Sequence, residues 1–105
     1  MRKNKGWFEQ KEKEIIDTLT TVGVDELQSR VVARCLITAD LYGVETHGTM
    51  VLSGHIKRIK AGSYNLTPKF KIIRETPAFA VIDGDNAMGP VSAQYCIEYA
   101  MDKCA

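Results

Sequence analysis

An α+β fold is what the order of apolar residues along the chain predicts. Up to Gly62, apolar residues recur at helical spacing. Past Gly62, two short runs rich in Ile, Val and Phe stand either side of a turn that contains Pro77. From Pro90 helical character returns and carries on to Ala105. Helices are therefore expected at about 7–22, 25–41, 48–61 and 90–105, with strands at about 69–75 and 78–83. The organisation follows: a helical region, 1–62, and a strand–helix region, 63–105.

In the first helix Phe8, Ile15, Ile16, Leu19 and Val22 recur on one side among Glu and Lys, and Gly23 stands where a left-handed cap would end it. Asp25 followed by Gln28 is a capping-box pattern that starts the second helix. Its apolar stripe is read as Leu27, Val31, Cys35 and Ala39, with Val32 and Leu36 beside it, and Gly43 interrupts the pattern. A third helix is expected from Gly48, with Thr46 as N-cap, Met50, Leu52, Ile56 and Ile59 as its apolar side, and Gly62 as its stop after Lys57, Arg58 and Lys60. Asn65 and Pro68 mark a turn or extended linker. Phe70–Arg74 and Phe79–Ile82 read as strands that pair through Glu75-Thr76-Pro77, and Asp83-Gly84-Asp85-Asn86 is turn-forming. Pro90 suits a first helical position, and Val91, Tyr95 and Met101 supply apolar residues to the last helix. That helix meets no stop before Ala105, which is the expectation for a truncated chain.

The 105 residues allow one domain at most. With 45% hydrophobic and 26% charged residues the composition is that of a soluble globular protein. A net charge of +1 gives no electrostatic case for nucleic acid or an acidic membrane as a partner. Met1-Arg2-Lys3-Asn4-Lys5 is charged like the start of a leader, yet no apolar segment follows it, and no run approaches the length of a membrane span. Cys35, Cys96 and Cys104 show no CxxC spacing and read as reduced thiols on helices, in keeping with a cytoplasmic protein.

Among candidate chemical residues His47 stands out, between Thr46 and Gly48. An imidazole titrates near neutral pH and moves protons; a neighbouring hydroxyl can orient it, and a neighbouring glycine leaves room for a substrate. On a continuous helix His47, Val51 and His55 share a face at i, i+4 and i+8, and a helix N-terminus beside His47 would favour a small carboxylate. The same spacing sets the two histidines roughly 12 Å apart along the axis, too far for one metal ion. No carboxylate or cysteine completes a ligand set, so no metal is expected. Asp83–Asn86 lacks the glycine and glutamate offsets of a calcium loop, and Gly84 and Gly89 do not form a GxGxxG phosphate loop. On the residues alone two classes stay open: an enzyme using His47, and a non-catalytic helical module for interaction or dimerisation.

Leu36-Ile37-Thr38-Ala39-Asp40-Leu41-Tyr42-Gly43-Val44-Glu45-Thr46-His47-Gly48 resembles the pattern L-x-x-A-D-L-x-G-V-D-[ST]-H-G of the malate/L-lactate dehydrogenase family. Arg58-Ile59-Lys60-Ala61-Gly62 is similar to the family's R-L-x-x-G, Arg74–Ala78 to its R-E-T-P-A, and Asp83–Gly89 to its D-G-D-N-G-x-G. The motifs follow in order from about residue 8 onward. The resemblance implies a non-Rossmann oxidoreductase with a mixed α/β fold in its complete form. It would transfer hydride between NAD or NADP and C2 of a small 2-hydroxy/2-oxo acid such as malate or lactate. Complete members run to roughly three times this length, so the chain is expected to be an N-terminal portion, inactive alone and a homodimer when complete. Residues 63–105 would then begin the nicotinamide-binding domain. The resemblance gives His47 and Thr46 catalytic proton-handling roles. It places Val51 and His55 at the substrate, where members often carry arginine and tyrosine. Losing that arginine removes the usual bidentate clamp for a carboxylate.

Overall fold

The computed structural model describes residues 5–105, as helices α1 (Lys5–Thr21) and α2 (Glu26–Leu41), 3-10 turns at Glu45–His47 and Thr49–Val51, α3 (Leu52–Lys60), strands β1 (Lys71–Glu75) and β2 (Ala80–Asp83), and α4 (Gly89–Cys104). The α+β class is as expected. The chain forms two units, one ending at Ser63 and one spanning Tyr64–Ala105. No helix among the described residues is long and apolar enough to cross a membrane.

In the first unit α1 packs against α2. Ile15 and Leu19 of α1 are buried, as their spacing predicts, and so are Val32, Ala33, Leu36 and Ile37 of α2. Each large apolar side chain removed from water stabilises this pair by about 1.5–3 kcal/mol. The buried stripe of α2 is rotated from the expected one. Leu27 is 73% exposed and Cys35 is exposed, while Ser29 is fully buried. Ser29 is tolerated there because its hydroxyl reaches the Val24 carbonyl at 3.4 Å. A polar residue in the stripe hides its phase from an apolar count. Asp25 caps α2 as predicted: its carboxylate accepts from the Gln28 backbone N–H at 2.8 Å and from the Gln28 side chain at 2.9 Å.

α1 ends on a Schellman motif. The Gly23 N–H donates to the Thr20 carbonyl and the Val24 N–H to the Leu19 carbonyl, with Gly23 at φ +101°. Gly62 ends α3 in the same way, through Gly62 to Ile59 and Ser63 to Arg58. The third helix departs from expectation at its start. Instead of running from Gly48, the chain makes two 3-10 turns, and α3 begins at Leu52. Thr46 caps nothing: Gly48 precedes the second turn and Val51 precedes α3, neither with a side-chain cap. Met50, expected on the apolar side of the third helix, is 65% exposed, whereas Ile59 is buried.

In the second unit β1 and β2 pair antiparallel, with Lys71 opposite Asp83 and Glu75 opposite Ala80. Ile73 is the extra residue of a bulge, between Ile72 opposite Ile82 and Arg74 opposite Val81. The hairpin is closed at Thr76, whose N–H donates to the Phe79 carbonyl and whose hydroxyl accepts from the Ala78 and Phe79 N–H groups. Asp85 and Asn86 take left-handed conformations at φ +53° and +59°. The Asp85 carboxylate accepts from the Asn65 side chain at 2.8 Å and the Lys69 N–H at 2.9 Å, which ties the segment before β1 to the turn after β2. Phe70 stacks on Tyr95 of α4 at 4.3 Å between ring centroids, and Tyr95 on Tyr99 at 6.5 Å.

Candidate functional site

His47 is positioned by the way α2 stops. Gly43, at φ +77°, lets the chain reverse: its N–H donates to the Asp40 carbonyl and the Val44 N–H donates to the Ala39 carbonyl at 2.8 Å. Glu45, Thr46 and His47 then form one tight turn, closed by His47 N–H to the Val44 carbonyl and Gly48 N–H to the Glu45 carbonyl, each at 3.0 Å. The His47 side chain is exposed. Its Nδ1 lies 3.1 Å from the Thr46 hydroxyl. When Nδ1 carries a proton it donates to the Thr46 oxygen, and Nε2 presents a lone pair outward. In the imidazolium form Nε2–H is a second donor. Thr46 therefore orients the ring while leaving Nε2 for a ligand.

The chain is pinned again just past His47. The Thr49 N–H and hydroxyl donate to the two oxygens of the Asp40 carboxylate at 3.1 and 2.6 Å. Gly48, buried and extended (φ −97°, ψ −151°), lies between these groups. A Cβ there would fall on Asp40, closer to its Oδ1 and Cγ than atoms can approach. The glycine beside the histidine thus leaves its space to Asp40, not to a substrate as the sequence reading supposed. A carboxylate in the last turn of a helix also opposes the helix dipole, so its pairing with Thr49 offsets a local cost. Neither Asp40 nor Thr49 was assigned a role from the sequence. The available signal was that acidic residue in the last turn of α2, with a glycine and a hydroxyl eight and nine positions on.

Thr46 and His47 are brought together as expected. Val51 ends the second 3-10 turn and His55 lies in α3, both half-buried. Because the chain changes helix type between them, regular i, i+4, i+8 spacing does not relate His47, Val51 and His55. With α3 beginning at Leu52, its N-terminus is also not at His47. Burial, with the Arg58 guanidinium as a second cause, holds the His55 imidazole below the usual histidine value. A groove of about 330 Å³ runs between α1 residues Lys11, Glu14, Ile15 and Thr18 and the Thr49–Leu52 segment. It passes Thr49 and is not lined by His47. In the second unit a groove of similar volume is lined by Phe79, Ile82, Cys96, Tyr99 and Lys103, among others.

The chain is similar to known proteins along most of its length. The family described as malate/L-lactate dehydrogenase matches residues 8–105. The malate dehydrogenase of Pyrococcus horikoshii is 42% identical over 89 residues, covering 85% of this chain and 25% of that protein. Its solved structure superposes with a TM-score of 0.88 at 38% identity, covering 91% of this chain and 28% of that one. The L-sulfolactate dehydrogenase of Methanocaldococcus jannaschii is 39% identical over 90% of this chain and 28% of its own length. An Escherichia coli ureidoglycolate dehydrogenase (NAD(+)) is 31% identical over 83% of this chain and 25% of its own. The chain spans about a quarter of the length of these relatives.

Proposed function

The chain belongs to the malate/L-lactate dehydrogenase family, and on that premise we propose that it is the N-terminal portion of an oxidoreductase exchanging hydride between NAD(P) and C2 of a small 2-hydroxy/2-oxo acid. The observation that carries this reading is the Thr46–His47 pair, an exposed imidazole with Nδ1 engaged and Nε2 available, on a turn pinned at both ends. Relatives named for malate, sulfolactate and ureidoglycolate support a substrate that bears a carboxylate and a hydroxyl, and the name carrying NAD(+) supports NAD before NADP. Family membership favours this reading over a non-catalytic helical module.

The residues present fit the proton-handling end of the reaction. A nicotinamide dinucleotide supplies or takes the hydride when bound. At Gly84 a Cβ would meet the Ser92 hydroxyl at 2.9 Å, so the missing side chain there serves packing within the second unit. When the 2-oxo acid is reduced, the His47 imidazolium donates Nε2–H to the carbonyl oxygen and neutralises the developing alkoxide. In the reverse direction neutral His47, its Nδ1–H held on the Thr46 oxygen, takes the hydroxyl proton at Nε2. Val51 and His55 would form part of the wall around the substrate. With valine where a guanidinium would clamp a carboxylate, that charge has to be met by another group. The exposed free thiols Cys35, Cys96 and Cys104 suit a reducing, cytoplasmic setting, and a homodimer is the proposed complete form. In the complete enzyme His47→Ala is expected to lower kcat/KM by roughly 10²–10⁴-fold. A variant that keeps most of its kcat/KM overturns the role of His47.

A further inference from the structure

We infer that Asp40 and Thr49 are positioning residues for His47, acting as a clamp that holds the His47 turn in its reactive placement. This rests on the proposed role of His47. The backbone of the turn is anchored on its N-terminal side by Val44 N–H to the Ala39 carbonyl, and on its C-terminal side by the two bonds from Thr49 to the Asp40 carboxylate. Both anchors lie in the last turn of α2, so His47 is carried on a short loop whose two ends meet on one rigid element. Between them Thr46 orients the side chain. Gly48 makes the clamp sterically possible, since any side chain there would occupy the place of the Asp40 carboxylate. Asp40 and Thr49 are part-buried, whereas Thr46 and His47 are exposed. The clamp therefore acts on the backbone of the loop that carries the imidazole and not on the ring itself. Proton transfer is steep in distance, and a displacement of about 1 Å at a reacting group can cost on the order of 10²-fold in rate.

The test uses the complete enzyme, assayed by malate oxidation with NAD+ or, if faster, with lactate, sulfolactate or ureidoglycolate. Thr49→Val keeps the side-chain volume and deletes the 2.6 Å bond. It is expected to lower kcat about tenfold with KM changed less than about twofold, and Thr49→Ser is expected to restore most of that loss. Asp40→Asn, which keeps one acceptor for the Thr49 N–H, is expected to lose about threefold and serves if Thr49→Val folds poorly. The decisive measurement is on a His47→Ala background, read by single turnover at high enzyme concentration. There neither substitution should cost more than about twofold further, because a residue acting through His47 has nothing left to position. An unchanged kcat in Thr49→Val and Asp40→Asn overturns the clamp. So does failure of Thr49→Ser to restore activity, or the same fold-loss with and without His47. If His47→Ala alone retains full activity, or the wild type turns over none of these substrates, the functional reading fails and the clamp falls with it.

Discussion

The two units of this chain are held together by different means. The first, up to Ser63, has an apolar core: Ile15, Leu19, Val24, Val32, Ala33, Leu36, Ile37 and Ile59 are buried, and each of its three helices ends on a glycine-centred reversal. The second, Tyr64–Ala105, buries Met88 and Val91 but has a β1 exposed along its whole length, Ile73 being 64% accessible and Val81 of β2 46%. It is organised largely by placed contacts: the Phe70–Tyr95–Tyr99 stack, the Asn65–Asp85 tie, and the Lys103–Glu75 pair at 2.6 Å. Burial is non-directional and tolerates sequence change, whereas stacking and hydrogen bonding depend on particular residues at particular positions. The candidate chemistry sits on the better-packed unit, on a loop anchored at both ends to the last turn of α2.

Equal truncations should expose this contrast most strongly. Ile37→Ala in the first unit is expected to destabilise by about 3 kcal/mol, and Ile73→Ala in the second by no more than about 0.5 kcal/mol, in urea titrations of the same chain. Comparable losses at the two sites would mean that β1 is covered in solution. Next in size is Gly48→Ala, expected to cost about 2 kcal/mol because its methyl competes with the Asp40 carboxylate. In an Asp40→Ala background most of that added cost should vanish. If it persists there, backbone conformation rather than the clash explains the glycine.

The smallest effects are in pH. His55 has a depressed value when folded, from burial first and Arg58 second, so the unfolded chain takes up a proton before the folded one. Stability should then fall as pH drops through the window just below the usual histidine value, and His55→Gln should flatten that window. Glu75 is depressed as well, by hydrogen bonds from Lys103 first and Tyr99 second. Its contribution is present above the usual carboxylate range and is lost as pH falls through its lowered folded value, a loss that Glu75→Gln should remove. Melts across pH, followed in parallel by near-ultraviolet signals of the tyrosines around Glu75, would assign the near-neutral limb to the first unit and the acid limb to the second. A single common limb would contradict that assignment.

The spans of α1, α2 and α4, the capping of α2 by Asp25 with Gln28, the glycine stops at Gly23, Gly43 and Gly62, and the 71–83 hairpin could all be read from residue order. Each rests on interactions among residues close in sequence, or on a periodicity that one face of an element must obey. The Thr46–His47 pair was legible for the same reason, as adjacent residues flanked by ordered motifs. The phase of α2 was not, because buried Ser29 pairs with the Val24 carbonyl and is invisible to an apolar pattern. The start of the third helix was also misplaced. The Thr46 cap and the apolar spacing favour a helix from Gly48, but the Asp40 carboxylate draws in the Thr49 backbone and hydroxyl from nine residues away, and 3-10 turns precede α3. The Asn65–Asp85 tie spans twenty residues and the Phe70–Tyr95 stack twenty-five, and no spacing rule announces them. Residue order settles what neighbours along the chain can do for one another. Where His47 stands and what holds it there depend on the reversal at Gly43, which returns Thr49 to the Asp40 carboxylate nine residues back.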